Sequence, residues 1–323
     1  MQEYIIGKNE AGQRLDKYLS KIMKDAPVSF FYKMMRKKNI VLNKSKCTGK
    51  EILQINDSVK IFLADDTFTK FGGIISSSDF SNNISTDISS KEVFHKYPYK
   101  QLDIVYEDED ILIVNKPSGM LTQKAERNDI SLNEYIIGYL LKSKAIDEKQ
   151  LLTFTPSVCN RLDRNTSGLV LAGKSLRGLQ TLSKMIKERT IDKYYITVVK
   201  GKISTDCSIE GYLTKNEKTN KVSIYEKSSK DERYIRTDYH VVKATDEYTV
   251  LEVRLITGRP HQIRAHLASI GHPVLGDYKY GDSIINKKYN LKDQLLHAYR
   301  VAFPDRKEYK AALPKEFDKF MEG

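Results

Sequence analysis

The chain has 323 residues, of which 40% are hydrophobic and 30% charged, so it is long enough for about two domains with hydrophobic cores. Lys and Arg exceed Asp and Glu by 12, and a protein this basic often binds RNA or DNA, although a lysine-rich proteome would produce the same excess. The 3 cysteines form no C-x-x-C pair, no apolar run reaches the ~20 residues of a membrane span, and no secretory signal pattern opens the chain. These features argue against a disulfide framework and against a membrane protein, and they predict a cytoplasmic protein.

The N-terminal residues predict two helices followed by a small β element. Residues 12–25 place apolar side chains three and four positions apart, which is the spacing of an amphipathic helix. A second helix is predicted to begin after Ser29, because serine is a common N-cap residue. Short strand-like runs follow, and the unit is predicted to span residues 1–63.

Positive charge is concentrated in this N-terminal unit. Residues 1–63 contain 13 Lys and Arg against 6 Asp and Glu, which is more than half of the excess of the whole chain. The basic residues near the second helix and the turn after it are Lys33, Arg36, Lys37, Lys38, Lys44 and Lys46. Such a patch favours contact with RNA phosphates, and a solvated helix face is the alternative.

A change of composition separates this unit from the rest of the chain. Residues 64–100 are rich in Ser, Asn, Gly and Asp and lack periodicity, so they predict a flexible linker. Residues 101–323 alternate short β-rich runs with a few helices, for example over residues 175–189, and predict a second domain.

The segment NRLDRNTSGLVLAGKS, residues 160–175, allows two interpretations. Its second half matches the phosphate-binding pattern G-x-x-x-x-G-K-[ST]. The residues between its two glycines are apolar, however, which favours a buried strand over the flexible loop that phosphate binding needs. The other interpretation places Asp163, between Arg161 and Arg164, in a polar active-site loop that leads into this strand. A surface Asp–Arg pair is the simpler alternative to an active site.

Two further segments concentrate side chains suited to a functional site. DKYYITVVKG, residues 192–201, predicts a strand in which one of Tyr194 and Tyr195 faces the core and the other the opposite side. Residues 255–281 contain Arg259, His261, Gln262, Arg264, His266 and His272. The histidine spacing does not fit a zinc site, and no metal site is predicted. Arginine, glutamine and histidine are instead common contacts to RNA phosphates and bases.

These motifs, in this order, resemble the RluA family of bacterial pseudouridine synthases, specifically the ribosomal large-subunit type with an N-terminal S4-like RNA-binding module. The family pattern H-R-L-D-x-x-T-S-G corresponds to residues 160–168, and K-P-[SA]-G corresponds to residues 116–119. The strand motif K-x-Y-x-A-x-V-x-G corresponds to residues 193–201, and G-R-[TP]-H-Q-I-R-x-H to residues 258–266. The N-terminal unit is similar to the small RNA-binding module of ribosomal protein S4.

The resemblance implies a fold class and a reaction. The fold is expected to be α+β, with a mixed, largely antiparallel β-sheet in the catalytic domain and a small N-terminal α/β module. The expected reaction converts a uridine in RNA to pseudouridine: the glycosidic C–N bond breaks, the uracil turns and a C–C bond forms. Because atoms are only rearranged, no cofactor is expected. The expected partner of a monomeric enzyme is large-subunit ribosomal RNA, either free or in an assembling ribosomal particle.

The resemblance also implies roles for individual residues. Asp163 is expected to be the catalytic carboxylate, Arg264 its ion-pair partner, and Tyr195 the ring that stacks on the uracil. Arg161 is expected to insert into the RNA stack after the base has flipped out. Further RNA contacts are expected from Arg164, Lys116, Arg259, His261, Gln262 and His266.

The sequence departs from the family pattern at two positions and leaves two other functions open. Asn160 stands where the family has histidine, and Thr197 where it has alanine.

Transfer RNA is an alternative substrate, although the N-terminal module favours ribosomal RNA. A non-catalytic RNA-binding or ribosome-assembly factor on the same fold is the alternative to an enzyme, and the intact Asp163, Tyr195 and Arg264 set argues against it.

Overall fold

The computed structural model describes residues 1–73, 95–148, 150–216, 219, 221–227 and 232–322. Within these residues the strands form two sheets, one of 4 strands near the N-terminus and one of 11 strands in the remainder of the chain. Helices pack against both sheets, so the predicted α+β fold class is confirmed.

The N-terminal sheet is antiparallel throughout and has the strand order β1-β4-β2-β3. Its strands are β1 (Gln2–Ile5), β2 (Ile40–Leu42), β3 (Ser45–Lys46) and β4 (Ser58–Ile61). Its helices are α1 (Leu15–Ile22), α2 (Val28–Arg36) and α3 (Asp65–Lys70). The two predicted helices are present, but Ser29 is not the N-cap of α2. Pro27 occupies that position with ψ of 145°, and Ser29 lies inside the first turn.

The helix α3 lies inside the segment that was predicted as a linker. Phe68 on this helix is only 2% exposed and joins the hydrophobic cluster formed by α1, α2 and the small sheet. Residues 65–70 of the predicted linker are therefore helical and pack against the N-terminal unit through Phe68. Residues 74–94, which make up most of the predicted linker, lie outside the described residues.

The large sheet has the strand order β11-β10-β12-β13-β9-β14-β8-β6-β5, with β15 paired to β14 and β7 paired to β8. Its strands are β5 (Ile104–Glu107), β6 (Ile111–Lys116), β7 (Ser157–Val158), β8 (Ser167–Gly173), β9 (Asp192–Lys200), β10 (Cys207–Asn216), β11 (Lys221–Tyr225), β12 (Arg233–Ala244), β13 (Tyr248–Leu255), β14 (Leu296–Ala302) and β15 (Glu308–Lys310). The helices of this part are α4 (Leu132–Lys142), α5 (Gln150–Thr153), α6 (Leu176–Glu188), α7 (Gln262–Ser269), α8 (Ser283–Lys288) and α9 (Asp318–Met321).

The strands β8 and β14 run parallel at the centre of this sheet and approach each other closely. Gly168 has a φ of 111°, and a β-carbon built there would lie 2.3 Å from the carbonyl oxygen of Ala298. Only glycine fits this position, so the S-G step that ends the predicted active-site loop is required by backbone packing. The loop before Gly168 is thereby held at the end of a buried strand.

The phosphate-loop interpretation of residues 168–175 is wrong. Residues 168–173 lie in β8, are buried throughout and pair with β6. The Lys174 ammonium, which would have to reach a nucleotide, lies 2.5 Å from Glu107 Oε1 and 2.7 Å from the Asp108 carbonyl oxygen. Ser175 caps α6 by accepting a hydrogen bond from the Gly178 amide, and the helix predicted at this point is confirmed.

Polar contacts connect the N-terminal unit to the part of the chain that forms the large sheet. Thr153 at the end of α5 donates from Oγ1 to Glu10 Oε1 at 2.6 Å and accepts at its carbonyl oxygen from Lys21 Nζ at 2.7 Å. Gln180 donates to the carbonyl oxygen of Gly12 at 3.3 Å. None of the helices in the described ranges is both long and apolar enough to cross a bilayer.

Candidate active site

Two carboxylates share one arginine at the centre of the site. Arg264 Nη1 donates to Asp163 Oδ2 at 2.7 Å, so the predicted pair is present. The same guanidinium donates to Asp277 through two further bonds, Nε to Oδ2 at 2.7 Å and Nη2 to Oδ1 at 2.9 Å. The arginine is therefore held as a planar bridge between Asp277 and Asp163.

The backbone around this bridge brings distant residues together. Arg264 lies in the first turn of α7, which begins after His261 in the left-handed region with a φ of 54°. Asp277 follows Gly276, and a β-carbon at Gly276 would lie 2.0 Å from the carbonyl oxygen of Asp293. The glycine thus allows the turn that presents Asp277 to Arg264.

Burial and charge assign the two carboxylates different tasks. The Asp277 side chain is 0% exposed, whereas that of Asp163 is 27% exposed. Burial alone would raise the pKa of Asp277, but the hydrogen bonds and charge of Arg264 lower it below its ordinary value. Burial by itself would lower the pKa of Arg264, but the hydrogen bonds and charges of the two carboxylates raise it above its ordinary value. Asp277 therefore fixes the arginine, and Asp163 is the carboxylate that a substrate can reach.

The loop that carries Asp163 is anchored through its backbone carbonyl groups. Thr122 Oγ1 donates to the Leu162 carbonyl oxygen at 2.8 Å, and Ser118 Oγ donates to that of Asn165 at 3.0 Å. Both donors come from the loop that follows β6. The two motifs separated by about forty residues in sequence therefore form one structure, in which the first holds the second.

Lys116 is a buried anchor of this loop, which corrects its prediction as an RNA contact. Its side chain is 0% exposed. Its ammonium donates to the carbonyl oxygens of Pro117, Met120 and Arg164 at 2.9, 2.9 and 3.1 Å. All three N–H groups are used in this way, so none remains for RNA. Burial lowers the pKa of Lys116 to about 8, against the opposing charges of Asp163 and Asp293.

Replacing Lys116 with methionine is expected to lower kcat by about 10- to 100-fold, because small displacements of a reacting group have effects of this size. RNA affinity should change little. In the wild type, kcat should also fall as the pH rises past about 8, where the amine keeps only two of its three donors. Single-turnover rates measured across this pH range would test both statements, and Lys174→Met serves as a control outside the loop. An alkaline decline of equal size in Lys116→Met would contradict the role of Lys116.

The stability that depends on Lys116 should change in the opposite direction with pH. Its pKa in the folded state, about 8, lies below the ordinary value of 10.5, so the unfolded chain binds more protons between these pH values. The wild type should therefore gain stability relative to Lys116→Met as the pH rises from about 8 to 10.5.

Asn160, which replaces the family histidine, pairs with the neighbouring strand. Its Oδ1 accepts from the Leu171 amide at 2.7 Å, and its Nδ2 donates to the Leu169 carbonyl oxygen at 3.2 Å. The side chain thus acts as an additional backbone unit beside β8 and fixes the start of the Asp163 loop. Thr197, the other departure, is buried and donates to the Leu295 carbonyl oxygen at 2.8 Å.

The two tyrosines of β9 face opposite sides, as the strand alternation predicts. Tyr195 is 6% exposed and packs with Leu162 and Ile263 in the main core. Tyr194 lies on the other face, beneath the guanidinium of Arg300 at 3.7 Å from the ring centroid. Burial, and to a smaller extent the charge of Asp163, raises the pKa of Tyr195. Its hydroxyl group therefore stays protonated at neutral pH.

Gln262 and His266 are structural, which corrects their prediction as RNA contacts. Gln262 is 2% exposed; its amide donates to the Arg236 carbonyl oxygen and to Thr237 Oγ1, and its Oε1 accepts from Thr257. His266 is 1% exposed and lies 3.0 Å from Thr237 Oγ1 through Nδ1. These polar side chains connect α7 to the sheet, so they do not face RNA.

The remaining residues predicted to contact RNA are accessible. Arg161 and Arg164 are exposed, whereas Arg259 and His261 are half-buried. His261 Nδ1 lies 2.8 Å from the Tyr280 hydroxyl, and burial lowers the pKa of this histidine despite the nearby charge of Asp163. The pKa of His261 therefore lies below its ordinary value, and the charge of Asp163 acts on it in the opposite direction.

Sequence reasoning missed Asp277 and Tyr280. Both lie in the segment 255–281, where the basic residues and histidines drew attention. A single sequence offers no sign that Asp277 is buried. An arginine predicted to orient Asp163 does, however, have donors to spare, and a second carboxylate in the same segment could have been considered.

Comparison with known proteins identifies the family of the chain. The RNA pseudouridylate synthase family model matches residues 110–269. An RNA pseudouridine synthase of Mycoplasma capricolum is 30% identical over 312 residues, which cover 95% of this chain and 93% of the relative. A protein named ribosomal large subunit pseudouridine synthase C, from Pasteurella multocida, is 29% identical and covers 92% of this chain and 84% of its own length.

Solved structures show the same fold. Human RNA pseudouridylate synthase domain containing 4 superposes with a TM-score of 0.55 at 19% identity, covering 67% of this chain and 90% of that one. Human RNA pseudouridylate synthase domain containing 1 gives a TM-score of 0.54 at 24% identity, covering 69% and 86%. The chain therefore belongs to the RNA pseudouridine synthase family, whose members are isomerases.

Proposed function

We propose that this enzyme converts specific uridines of large-subunit ribosomal RNA to pseudouridine, with Asp163 as the catalytic carboxylate. The observation that carries the proposal is the partly exposed carboxylate of Asp163, held at 2.7 Å by an arginine that is itself 9% exposed. A carboxylate fixed and oriented in this way is suited to attack or to abstract a proton without first reorganising. The relatives named for large-subunit ribosomal RNA support the choice of substrate.

The reaction conserves all atoms. The bond from C1′ to N1 of uracil breaks, the base turns, a bond from C1′ to C5 forms, and the proton lost from C5 is balanced by one gained at N1. Tyr195, whose raised pKa keeps it neutral, provides a ring against which the uracil stacks. Arg161, exposed beside Asp163, fills the gap that the flipped uridine leaves in the RNA. These steps require no cofactor and no metal.

The N-terminal unit supplies a second RNA contact. The side chains of the predicted patch are exposed, and none of them forms an ion pair with a carboxylate in the part of the chain that the structure describes: Lys33, Arg36, Lys37, Lys38, Lys44 and Lys46. Asn43 and Lys44 both have positive φ and form the tight turn between β2 and β3. This turn exposes Lys44, and we propose that Lys44 and the basic residues of α2 contact phosphates of the RNA backbone. Because Phe68 of α3 packs in the hydrophobic cluster of residues 1–63, the proposed RNA-binding module includes α3 as well. The proposed enzyme is a cytoplasmic monomer that contacts RNA through this module and through the active site.

The proposal is tested by mapping pseudouridine on unmodified transcripts of large-subunit ribosomal RNA and of transfer RNAs, with EDTA present and no nucleotide. We expect new pseudouridine at discrete positions of the ribosomal RNA. Pseudouridine in transfer RNA alone would contradict the substrate, and a requirement for added metal would contradict the mechanism. No product on free RNA or on isolated pre-ribosomal particles would overturn the proposed function as a whole.

A further inference from the structure

Lys193, the first residue of the strand motif, is a half-buried cation on the active-site face of β9. It precedes Tyr195 by two residues, so the two side chains point to the same face with their α-carbons about 7 Å apart. A β-carbon built on Gly258 would lie 3.7 Å from Lys193 Nζ. The ammonium therefore lies beside the turn that leads into α7, next to the site.

This ammonium forms no ion pair with a carboxylate in the part of the chain that the structure describes. No carboxylate lies within 4.0 Å of it in the described ranges, and the adjacent Asp192 is bound by Arg254 at 2.9 and 3.2 Å. Burial lowers the pKa of Lys193 and the neighbouring charge of Arg189 lowers it further, whereas the charge of Asp192 offsets only part of this. A desolvated cation next to another cation is unfavourable unless an anion is bound there.

The turn beside Lys193 carries another unused donor. Arg259 Nε is buried and has no hydrogen-bond partner among the described residues. Gly258 has no side chain, and among the described residues Lys193 Nζ is the only non-neighbouring atom within 4 Å of the position that its β-carbon would take. The space next to Gly258 is thus open, and cationic groups border it.

We propose that Lys193 and Arg259, with Arg189 at the rim, form a subsite for one phosphodiester group of the RNA, within a few nucleotides of the target uridine. This inference rests on the proposed function, since it places the RNA strand across Tyr195. A phosphodiester supplies the missing negative charge and the acceptor for the buried Arg259 Nε, and Gly258 allows the RNA backbone to come close. The subsite fixes the strand beside the flipped base.

The subsite is tested by coupling a protein change to a change of the RNA. RNAs of one sequence, each with a single neutral methylphosphonate linkage near the uridine, are bound to Asp163→Asn and to Asp163→Asn/Lys193→Met so that no turnover occurs. The RNA probe is the segment that pseudouridine mapping identifies. If mapping identifies none, the probe is a uridine-containing hairpin that the protein binds. This readout is binding alone, so its failure is distinguishable from failure of the proposed function.

We expect Lys193→Met to weaken binding by about tenfold and to lower the salt slope by about 1. One methylphosphonate position should weaken binding of the parent by a similar factor and leave Lys193→Met unaffected. Lys193→Arg should again bind the RNA with that methylphosphonate more weakly than the unmodified RNA, as the parent does. Lys202→Met, which removes an exposed lysine paired with Asp246, should also behave like the parent. Arg259→Gln tests the same linkage independently if Lys193→Met does not fold. Equal effects of every linkage in parent and variants would overturn the subsite.

Discussion

Asp163→Ala is expected to lower the rate of pseudouridine formation by at least about 10³-fold, the scale on which removing a principal catalytic side chain acts in other enzymes. RNA affinity should change by less than about threefold, because the phosphate contacts lie elsewhere. Folding should also be retained, since Arg264 keeps its two bonds to Asp277. The measurement is single-turnover pseudouridine formation together with equilibrium binding of the same RNA.

Two controls separate catalysis from structure in this experiment. Asp163→Asn keeps the shape and one hydrogen-bond acceptor, so it should be as inactive as Asp163→Ala if the charge is what matters. Asp246→Ala removes an aspartate that is 90% exposed at its side chain and should leave the rate unchanged. Activity of Asp163→Ala within tenfold of the wild type would show that another group carries the reaction.

Arg264→Lys is expected to reduce turnover by about 10²- to 10³-fold, the range found when one preorganised hydrogen-bond donor of an active site is lost. A lysine ammonium cannot replace a guanidinium that donates twice to Asp277 and once to Asp163. The change should also reduce the free energy of unfolding by about 3 to 5 kcal/mol, because Asp277 stays buried with an inadequate partner. Chemical denaturation and single-turnover rates would be measured on the same preparation.

A paired variant distinguishes positioning from mere stability. In Arg264→Gln/Asp277→Asn both buried charges are removed. This double variant should therefore be more stable than Arg264→Lys, because replacing both members of a buried ion pair costs less stability than leaving one carboxylate without an adequate partner. Turnover should stay low, because nothing orients Asp163. Recovery of activity along with stability would contradict a positioning role for Arg264, as would near wild-type turnover of Arg264→Lys.

Local patterns in the sequence predicted those parts of the structure that depend on neighbouring residues. The apolar spacing of α1 and the helix predicted over residues 175–189, which is α6, were read correctly, because both depend on contacts three or four residues apart. The apolar residues 169–172 identified β8 as a buried strand and rejected the phosphate loop for the right reason. Ser29 failed as a cap, because Pro27 fits the position before the helix with its restricted φ.

The tertiary structure alone decided which polar side chains are buried. Lys116, Gln262 and His266 carry chemical groups that are suited to contact RNA, and their residue types do not show that backbone carbonyls and threonines already bind these groups. The open cationic turn at Gly258 and the unpaired Lys193 likewise follow only from how β9 packs beside the turn into α7.

The sequence by itself indicated the family and placed the loop that carries Asp163, because both depend on contiguous motifs. It also gave the basic character of the N-terminal unit, since charge depends on composition. The family resemblance already named Arg264 as the partner of Asp163, but only the tertiary structure showed that Asp277 holds this arginine, through a turn that Gly276 permits. Contacts between distant segments depend on the packing of the whole sheet, and no local pattern encodes them.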